Sequence, residues 1–179
     1  MQQKYNYYID ASTTRTGITL ENTETGEIII THLDFPKITT KNTTKVEKQF
    51  EKFKAIKNIL DDFTKKFPYE EIIMEGIFIN PAFLNSSEVV IKLHGFLMAY
   101  FISTTMTFYP PKSIRKTLLG KGNAKKEEVW EFIKEQYMIE CANFDQSDSF
   151  AVYLYHKRVQ NVEIGKTLPY IIYRQPFTH

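Results

Sequence analysis

The sequence predicts a single α/β domain in which helices cover both faces of a mixed five-stranded sheet. Three strand-like segments follow one another before residue 34, and two later strands are each preceded by a helical pattern. Neighbouring strands joined by short turns pair antiparallel, whereas strands joined through a helix pair in parallel. The sheet is therefore expected to combine a three-strand antiparallel meander with parallel strands.

The meander is predicted at residues 4–9, 16–20 and 27–33. The first of these segments alternates tyrosine with polar residues and ends at Asp10. Residues 21–26 carry the asparagine, threonine and glycine that are typical of a turn. These short connections favour antiparallel pairing of all three strands.

Helices and strands alternate in the rest of the chain. Apolar residues at mostly helical spacing, with lysine and glutamate between them, predict an amphipathic helix over about 45–67. The later elements are, in order, a strand at 71–75, a helix at 86–101 capped by Asn85, a strand at 105–109 that stops before Pro110-Pro111, a helix at 123–137 and a last helix from Asn143. The domain is thus expected to span residues 1–160, followed by a tail of unknown role at 161–179.

The composition excludes several classes of protein. The net charge is only +2, so binding to a polyanion would need a local basic patch. The single cysteine, Cys141, rules out an internal disulfide and a cysteine-rich zinc site. The N-terminus lacks the pattern of a signal peptide, and the longest apolar stretch, 96–103, is too short to cross a bilayer. We therefore expect a soluble cytoplasmic protein that does not bind a membrane.

Acidic residues interrupt apolar segments at three separate places. Asp10 ends the first strand and Glu75 ends the fourth, so parallel pairing would bring both to the same end of the sheet. Asp145 and Asp148 stand three residues apart at the head of the last helix, on one face of its first turn. Four uncompensated carboxylates would repel one another strongly, and oxygen ligands are what Mg²⁺ prefers. The sequence therefore predicts a site for two Mg²⁺ ions, with Mn²⁺ as a substitute, held by these four residues.

Each acid also has a simpler interpretation. Asp145 and Asp148 could cap their helix, because acidic residues favour its positive end. Asp10 could form a turn, and Glu75 could be an exposed residue at a strand edge. The occurrence of acids at three matching positions favours the metal site over these separate explanations.

A basic segment follows the fifth strand. Six cations fall within fifteen residues, with no acid before Glu127. They are Lys112, Arg115, Lys116, Lys121, Lys125 and Lys126. In a nearly neutral chain, such a cluster indicates phosphate contact rather than an ordinary solvated surface.

Three segments of the chain resemble RuvC-type Holliday-junction resolvases, which have the ribonuclease-H-like fold. The resemblance covers about residues 5–157 and includes the loop and helix start at 118–126. It rests on Tyr8-Ile9-Asp10 followed by Gly17, on Ile73-Met74-Glu75-Gly76-Ile77-Phe78, and on Asp145-Gln146-Ser147-Asp148-Ser149. Ala11-Ser12 replaces the Pro-Gly usual after the first aspartate, and Gly76 replaces the usual glutamine. The chain thus resembles a divergent, phage-type member, which would act in the cytoplasm of the host cell.

The resemblance implies roles for the residues at matching positions. The four acids would hold the metal ions, and Arg115 and Lys126 would lie near the scissile phosphate. Phe78 would wedge against bases at the crossover, although Phe83 is an alternative for that role. Family members cut as homodimers, and Gly95 in the helix at 86–101 would allow a second copy to approach closely. The implied partner is therefore branched DNA, bound by two copies of the chain.

The predicted activity is nicking of Holliday junctions at symmetric positions by two-metal hydrolysis of a phosphodiester. A ribonuclease that cuts RNA–DNA hybrids stays open as an alternative, as does a junction-binding protein without turnover. A small-molecule hydrolase is disfavoured, because the sequence contains no glycine-rich loop suited to a nucleotide phosphate.

Overall fold

The computed structural model describes residues 3–39, 43–77, 84–165 and 169–173. The strands are β1 (Tyr5–Asp10), β2 (Arg15–Asn22), β3 (Ile28–Asp34), β4 (Tyr69–Glu75), β5 (Thr105–Tyr109) and β6 (Tyr170–Ile172). The helices are α1 (Lys45–Lys66), α2 (Leu84–Tyr100), α3 (Pro111–Leu119), α4 (Lys126–Tyr137) and α5 (Phe144–Val159).

The strands form one mixed sheet in the order β5-β4-β1-β2-β3-β6. β1, β2 and β3 pair antiparallel as the predicted meander, while β4 is parallel to both β1 and β5. The predicted mixed sheet is therefore confirmed, but it has a sixth strand. β6 comes from the predicted tail and pairs in parallel with β3. Its three residues form a strand only through this distant partner, which local sequence patterns cannot reveal.

Each face of the sheet has its own apolar core. Tyr7 and Met74 face α1 and α2, where Phe63 and Leu97 are buried. Tyr8 and Ile73 belong to the opposite core, which contains side chains of α3, α4 and α5. Successive strand residues point to opposite faces. Asp10 therefore shares the face of Tyr8, and Glu75 shares the face of Ile73.

The basic segment after β5 begins as a helix, for which the sequence patterns predicted no secondary structure. Pro111 occupies the first position of α3, where a missing N–H costs nothing and the fixed φ suits a helix. Gly120 ends the helix in the left-handed conformation, with φ of 78°. Lys112, Arg115 and Lys116 are consequently carried on a short helix. Among the described residues, no helix has the length and hydropathy needed to span a membrane.

Candidate active site

Asp10 and Glu75 line one cleft at the carboxyl ends of β1 and β4. The cleft has a volume of about 650 Å³ and also receives Arg115 from α3 and His94 from α2. The two strands pair in parallel up to Ile9 and Met74, so the acids that follow leave the sheet side by side. This agrees with the predicted convergence of the two strand ends.

The first turn of α5 brings Asp145 and Asp148 to the same end of the sheet. Asn143 is the N-cap residue of this helix, and its side chain accepts a hydrogen bond of 3.0 Å from the Gln146 backbone N–H. Capping is therefore done by a residue outside the acidic pair. This leaves the carboxylates of Asp145 and Asp148 available for other contacts.

Three of the four acids converge on the ammonium group of Lys126, at the first position of α4. Its Nζ lies 3.5 Å from Asp10 Oδ2, 3.7 Å from Asp145 Oδ1 and 2.7 Å from Asp148 Oδ2. Lys126 thus stands as the cation within a cluster of negative charge. Its positive charge offsets the mutual repulsion of these carboxylates.

Burial and mutual repulsion raise the pKa values of these acids. Burial raises the pKa of Asp10 to about 6, with added repulsion from Asp148. Burial likewise raises the pKa of Glu75 to about 8, and the charges of Asp10 and Asp148 contribute. Burial also raises the pKa of Asp148, against the attraction of Lys126. For Lys126, burial lowers the pKa, but the three surrounding aspartates outweigh it and raise the value overall.

The donor set of this site fits a hard divalent cation. All four candidate ligands are carboxylates, as Mg²⁺ and Mn²⁺ require. Asp148 Oδ2 is buried and makes no well-formed hydrogen bond with any described residue, although Lys126 Nζ is only 2.7 Å away. In the described part of the chain, no three acidic, histidine or cysteine side chains are close enough to enclose an ion in this arrangement. Lys126 stands between the aspartates, and a metal ion would have to take over its contacts.

The basic residues predicted to bind DNA divide into groups. Lys112 and Arg115 line the acidic cleft, and Arg115 is held by a 2.7 Å hydrogen bond from its Nη1 to the Ala124 carbonyl. Lys121 and Lys125 line a separate depression, where Lys121 pairs with Glu128. Lys116 is exposed on α3.

Phe78 and Phe83, the two candidates for the aromatic wedge, lie outside the described residues. The choice between them stays a prediction.

Sequence reasoning missed one residue that shapes the site, His94, and the structural role of another, Gly17. His94 lines the cleft from α2, and nothing in its local sequence distinguishes it from a core histidine. Gly17 lies in β2 directly beneath Asp145, where a side chain would meet the α5 backbone. An isolated glycine inside a strand is a known sign of such close approach.

The sheet order and the acids at its carboxyl end define a ribonuclease-H-like α/β domain. The family model described as crossover junction endodeoxyribonuclease RuvC matches residues 8–156, and the chain belongs to this family. This confirms the resemblance that the three sequence segments indicated.

Curated relatives include the crossover junction endodeoxyribonucleases RuvC of Orientia tsutsugamushi strains Boryong and Ikeda. Each is 29% identical to this chain over 96 residues, which are 52% of the chain and 60% of the relative. The match thus spans less than two thirds of the length of these relatives.

Solved structures with the same fold include Thermus thermophilus RuvC and T. thermophilus RuvC in complex with a Holliday junction substrate. The first has a TM-score of 0.55 at 19% identity, and the match covers 87% of this chain and 96% of that one. The complex has a TM-score of 0.57 at 19% identity, and the match covers 88% of this chain and 95% of that one. The yeast mitochondrial Holliday junction resolvase Ydc2 has a TM-score of 0.57 at 17% identity, and the match covers 88% of this chain and 79% of that one. These likenesses confirm the predicted fold class.

Proposed function

We propose that this protein is a Mg²⁺-dependent endodeoxyribonuclease that resolves Holliday junctions by symmetric nicking. The observation that carries the proposal is the convergence of Asp10, Asp145 and Asp148 on Lys126, with Glu75 in the adjoining cleft. Membership of the RuvC family supports the reaction class, and the Thermus relative was solved with a Holliday junction substrate. The four acids are proposed as metal ligands.

The residues of the cleft would divide the work of phosphodiester hydrolysis. When bound, two Mg²⁺ or Mn²⁺ ions would supply an activated water and would stabilise the leaving 3′ oxygen. Asp10 would contact both ions, Glu75 would bind one of them, and Asp145 with Asp148 would bind the other. Arg115 would offset negative charge on the scissile phosphate from the wall of the cleft.

Lys126 would have two roles in this scheme. Without metal, its ammonium neutralises the aspartates that surround it. With the carboxylates engaged as metal ligands, the Lys126 ammonium would be available to contact the scissile phosphate of a bound substrate. The same side chain would thus keep the free site folded and stabilise the charge of the transition state.

A second copy of the chain would complete the enzyme on a four-way junction. A four-way junction offers two equivalent strands, so paired cuts need two active sites related by a two-fold axis. On α2, Ile91 and Met98 are 39% and 50% exposed, and Gly95 has open space at its α carbon; Ile102, in the turn that follows the helix, is 81% exposed. We propose this apolar stripe as the homodimer contact. Sedimentation of Met98→Arg against the wild type tests it, and an unchanged dimer fraction would contradict it.

Location and domain limits follow from the same proposal. A DNA substrate would place the enzyme in the cytoplasm, or in the host cytoplasm for a phage-encoded protein. The nuclease domain is proposed to span residues 1–160, and β6 shows that residues 170–172 of the tail add to its sheet.

Nicking assays with labelled DNA test the proposal. The wild type should nick a four-way junction in Mg²⁺ far faster than a three-way junction or a linear duplex, and EDTA should stop the reaction. Glu75→Gln should bind the junction but lose at least about 100-fold in nicking rate, because one metal ligand is missing. Preferred cutting of an RNA–DNA hybrid would instead support the ribonuclease alternative. Tight junction binding without nicking in either metal would support a non-cleaving binder.

A further inference from the structure

A second basic surface lies on the α1 side of the molecule, and we call it the α1 groove. It has a volume of about 670 Å³, and its walls include Thr13 and Thr14 from the β1–β2 turn. Of the ten described residues that line it, four are lysines and none is acidic. The lysines are Lys37, Lys45, Lys48 and Lys52.

The topology brings the α1 groove to the catalytic end of the sheet. β1 and β3 both pair antiparallel with β2, so they run in the same direction and end at the same edge. The link from β3 to α1, which carries Lys37, therefore leaves the sheet at the edge where Asp10 stands. Thr13 and Thr14 follow Asp10 closely along the chain, so one wall of the groove adjoins the acidic cleft.

The lysines of the groove form a consistent positive face. Lys45, Lys48 and Lys52 recur at positions i, i+3 and i+7, which lie on one side of α1. Lys37 and Lys48 are exposed and form no ion pair with any residue in the described ranges. Lys45 pairs with Glu88 at 3.1 Å, and Lys52 donates a 2.6 Å hydrogen bond to the Pro36 carbonyl.

An ordinary solvated helix face would mix both signs of charge more evenly. Glu47, the acid nearest to the start of α1, is instead turned to the capping box with Thr44. In a chain with a net charge of only +2, a concave surface with four cations and no acid favours a polyanion. A continuous duplex suits it, because duplex DNA presents one phosphate charge for about every 1.7 Å along its axis.

We propose that the α1 groove binds the phosphate backbone of one duplex arm of the branched DNA substrate. This inference rests on the proposed function and extends it, because the groove lies on the face of the sheet opposite to α3 and α4. The cut strand would pass the acidic cleft while the arm that leads from it lies along α1. The basic residues of α3 and α4 would then contact a different part of the junction.

The salt dependence of junction binding tests this assignment. Binding of a labelled four-way junction would be measured in EDTA by fluorescence anisotropy across about 50 to 200 mM salt. The double variant Lys37→Gln/Lys48→Gln should lower the slope of log K against log salt by about 1.8, or about 0.9 for each phosphate that is no longer neutralised. The matched control is Lys54→Gln/Lys65→Gln, which removes two exposed lysines of α1 outside the groove and should keep the wild-type slope.

The possible outcomes separate this inference from the proposed function. If the wild type and the groove variant showed the same steep slope of log K against log salt, the proposed role of the α1 groove in DNA binding would be wrong. The nuclease proposal would still stand. Equal reductions of the slope in the groove variant and the control would also overturn this role of the groove, since they would show only a general charge effect. A wild type that neither nicks nor prefers the junction would instead overturn the proposed function. Unchanged melting temperatures of both variants would exclude unfolding as the cause of a reduced slope.

Discussion

Gly17 of β2 lies directly against the backbone of Asp145 in the first turn of α5. A β carbon built at Gly17 overlaps the Asp145 carbonyl group and would lie 3.2 Å from the Asp145 α carbon. α5 can therefore rest on the sheet at this point only because residue 17 has no side chain. This close approach sets the height of the acidic pair above the ends of β1 and β4.

Gly17→Ala should therefore push the start of α5 away from the sheet. The obstacle is backbone and not a flexible side chain, so we expect a loss of about 1–3 kcal/mol in the free energy of unfolding. Nicking should fall with it, because Asp145 and Asp148 would move relative to Asp10. Gly76→Ala is a matched control beside Glu75, since its β carbon would meet the nearest atom, the Tyr109 carbonyl oxygen, at 3.4 Å. Urea denaturation of both variants checks this, and equal stabilities would contradict it.

The sequence predicted the parts of the site that depend on local pattern. Asp10 and Glu75 each end an apolar strand, and alternation along a strand then decides which face they share. Parallel pairing of β1 with β4 follows from the intervening helix. Alternation depends only on neighbours in the chain, and the direction of pairing depends only on the type of element that connects the strands. Both can therefore be read from a sequence without knowledge of distant contacts.

Features that depend on distant parts of the chain were not predictable in the same way. β6 is three residues long and exists through its pairing with β3. The α1 groove collects residues from the β1–β2 turn, the β3–α1 link and two helices, so no single segment displays it. Pro110-Pro111 predicted the end of β5 but not the start of α3, although a proline at the first helical position also starts a helix.

The stability of the metal-free protein should fall as the pH rises. The pKa values of Asp10 and Glu75 are about 6 and about 8 in the folded protein, whereas those of unfolded carboxyls are about 4. Because both pKa values are higher in the folded than in the unfolded protein, these groups stabilise the fold fully below pH about 4. This stabilisation is lost as the pH rises through 6 and then 8. Denaturation in EDTA at several pH values between about 4 and 8 measures how the free energy of unfolding changes with pH. Mg²⁺ should flatten this dependence, because bound cations favour the ionised carboxylates.

Glu75→Gln provides the control for this pH dependence. The substitution removes the acid with the higher pKa, so the upper part of the slope should disappear. The metal-free variant should be more stable than the wild type above pH 8, even though it no longer nicks DNA. A slope that persists unchanged in this variant would show that another group titrates in that range.

Lys126→Met should make the acidic cluster more dependent on metal. The variant keeps an unbranched side chain, one heavy atom shorter, but leaves three aspartates without their shared cation. We expect the metal-free protein to lose about 1–3 kcal/mol, less than a fully buried pair would cost, because Lys126 is 44% exposed. Calorimetric titration should show tighter Mg²⁺ binding, since the competing ammonium is gone. Lys121→Met, whose partner is Glu128, should leave Mg²⁺ binding unchanged. Weaker binding in Lys126→Met would show that the lysine does not compete with the ions.

Gln146 ties the start of α5 to β3 and to the residue that follows β6. Its side chain is fully buried, and its Oε1 accepts a 2.8 Å hydrogen bond from the Ala142 N–H. Its Nε2 donates to the carbonyl of Tyr173 at 2.7 Å and lies 3.0 Å from Nδ1 of His32. The residue that follows β6 therefore helps to hold the helix that carries Asp145 and Asp148.

Gln146→Leu should break this link while nearly preserving the volume of the side chain. It would remove the hydrogen-bond partner of the Ala142 N–H and of the Tyr173 carbonyl, and one of the two polar contacts of the buried His32 Nδ1. We therefore expect a loss of about 1–3 kcal/mol in the free energy of unfolding. Gln136→Leu, at an exposed position of α4, should change it by less than about 0.5 kcal/mol. Hydrogen exchange should show faster opening at the start of α5 and at 170–172 together in the Gln146 variant. If exchange increased at only one of these two places, the tail would not share in positioning the acidic pair.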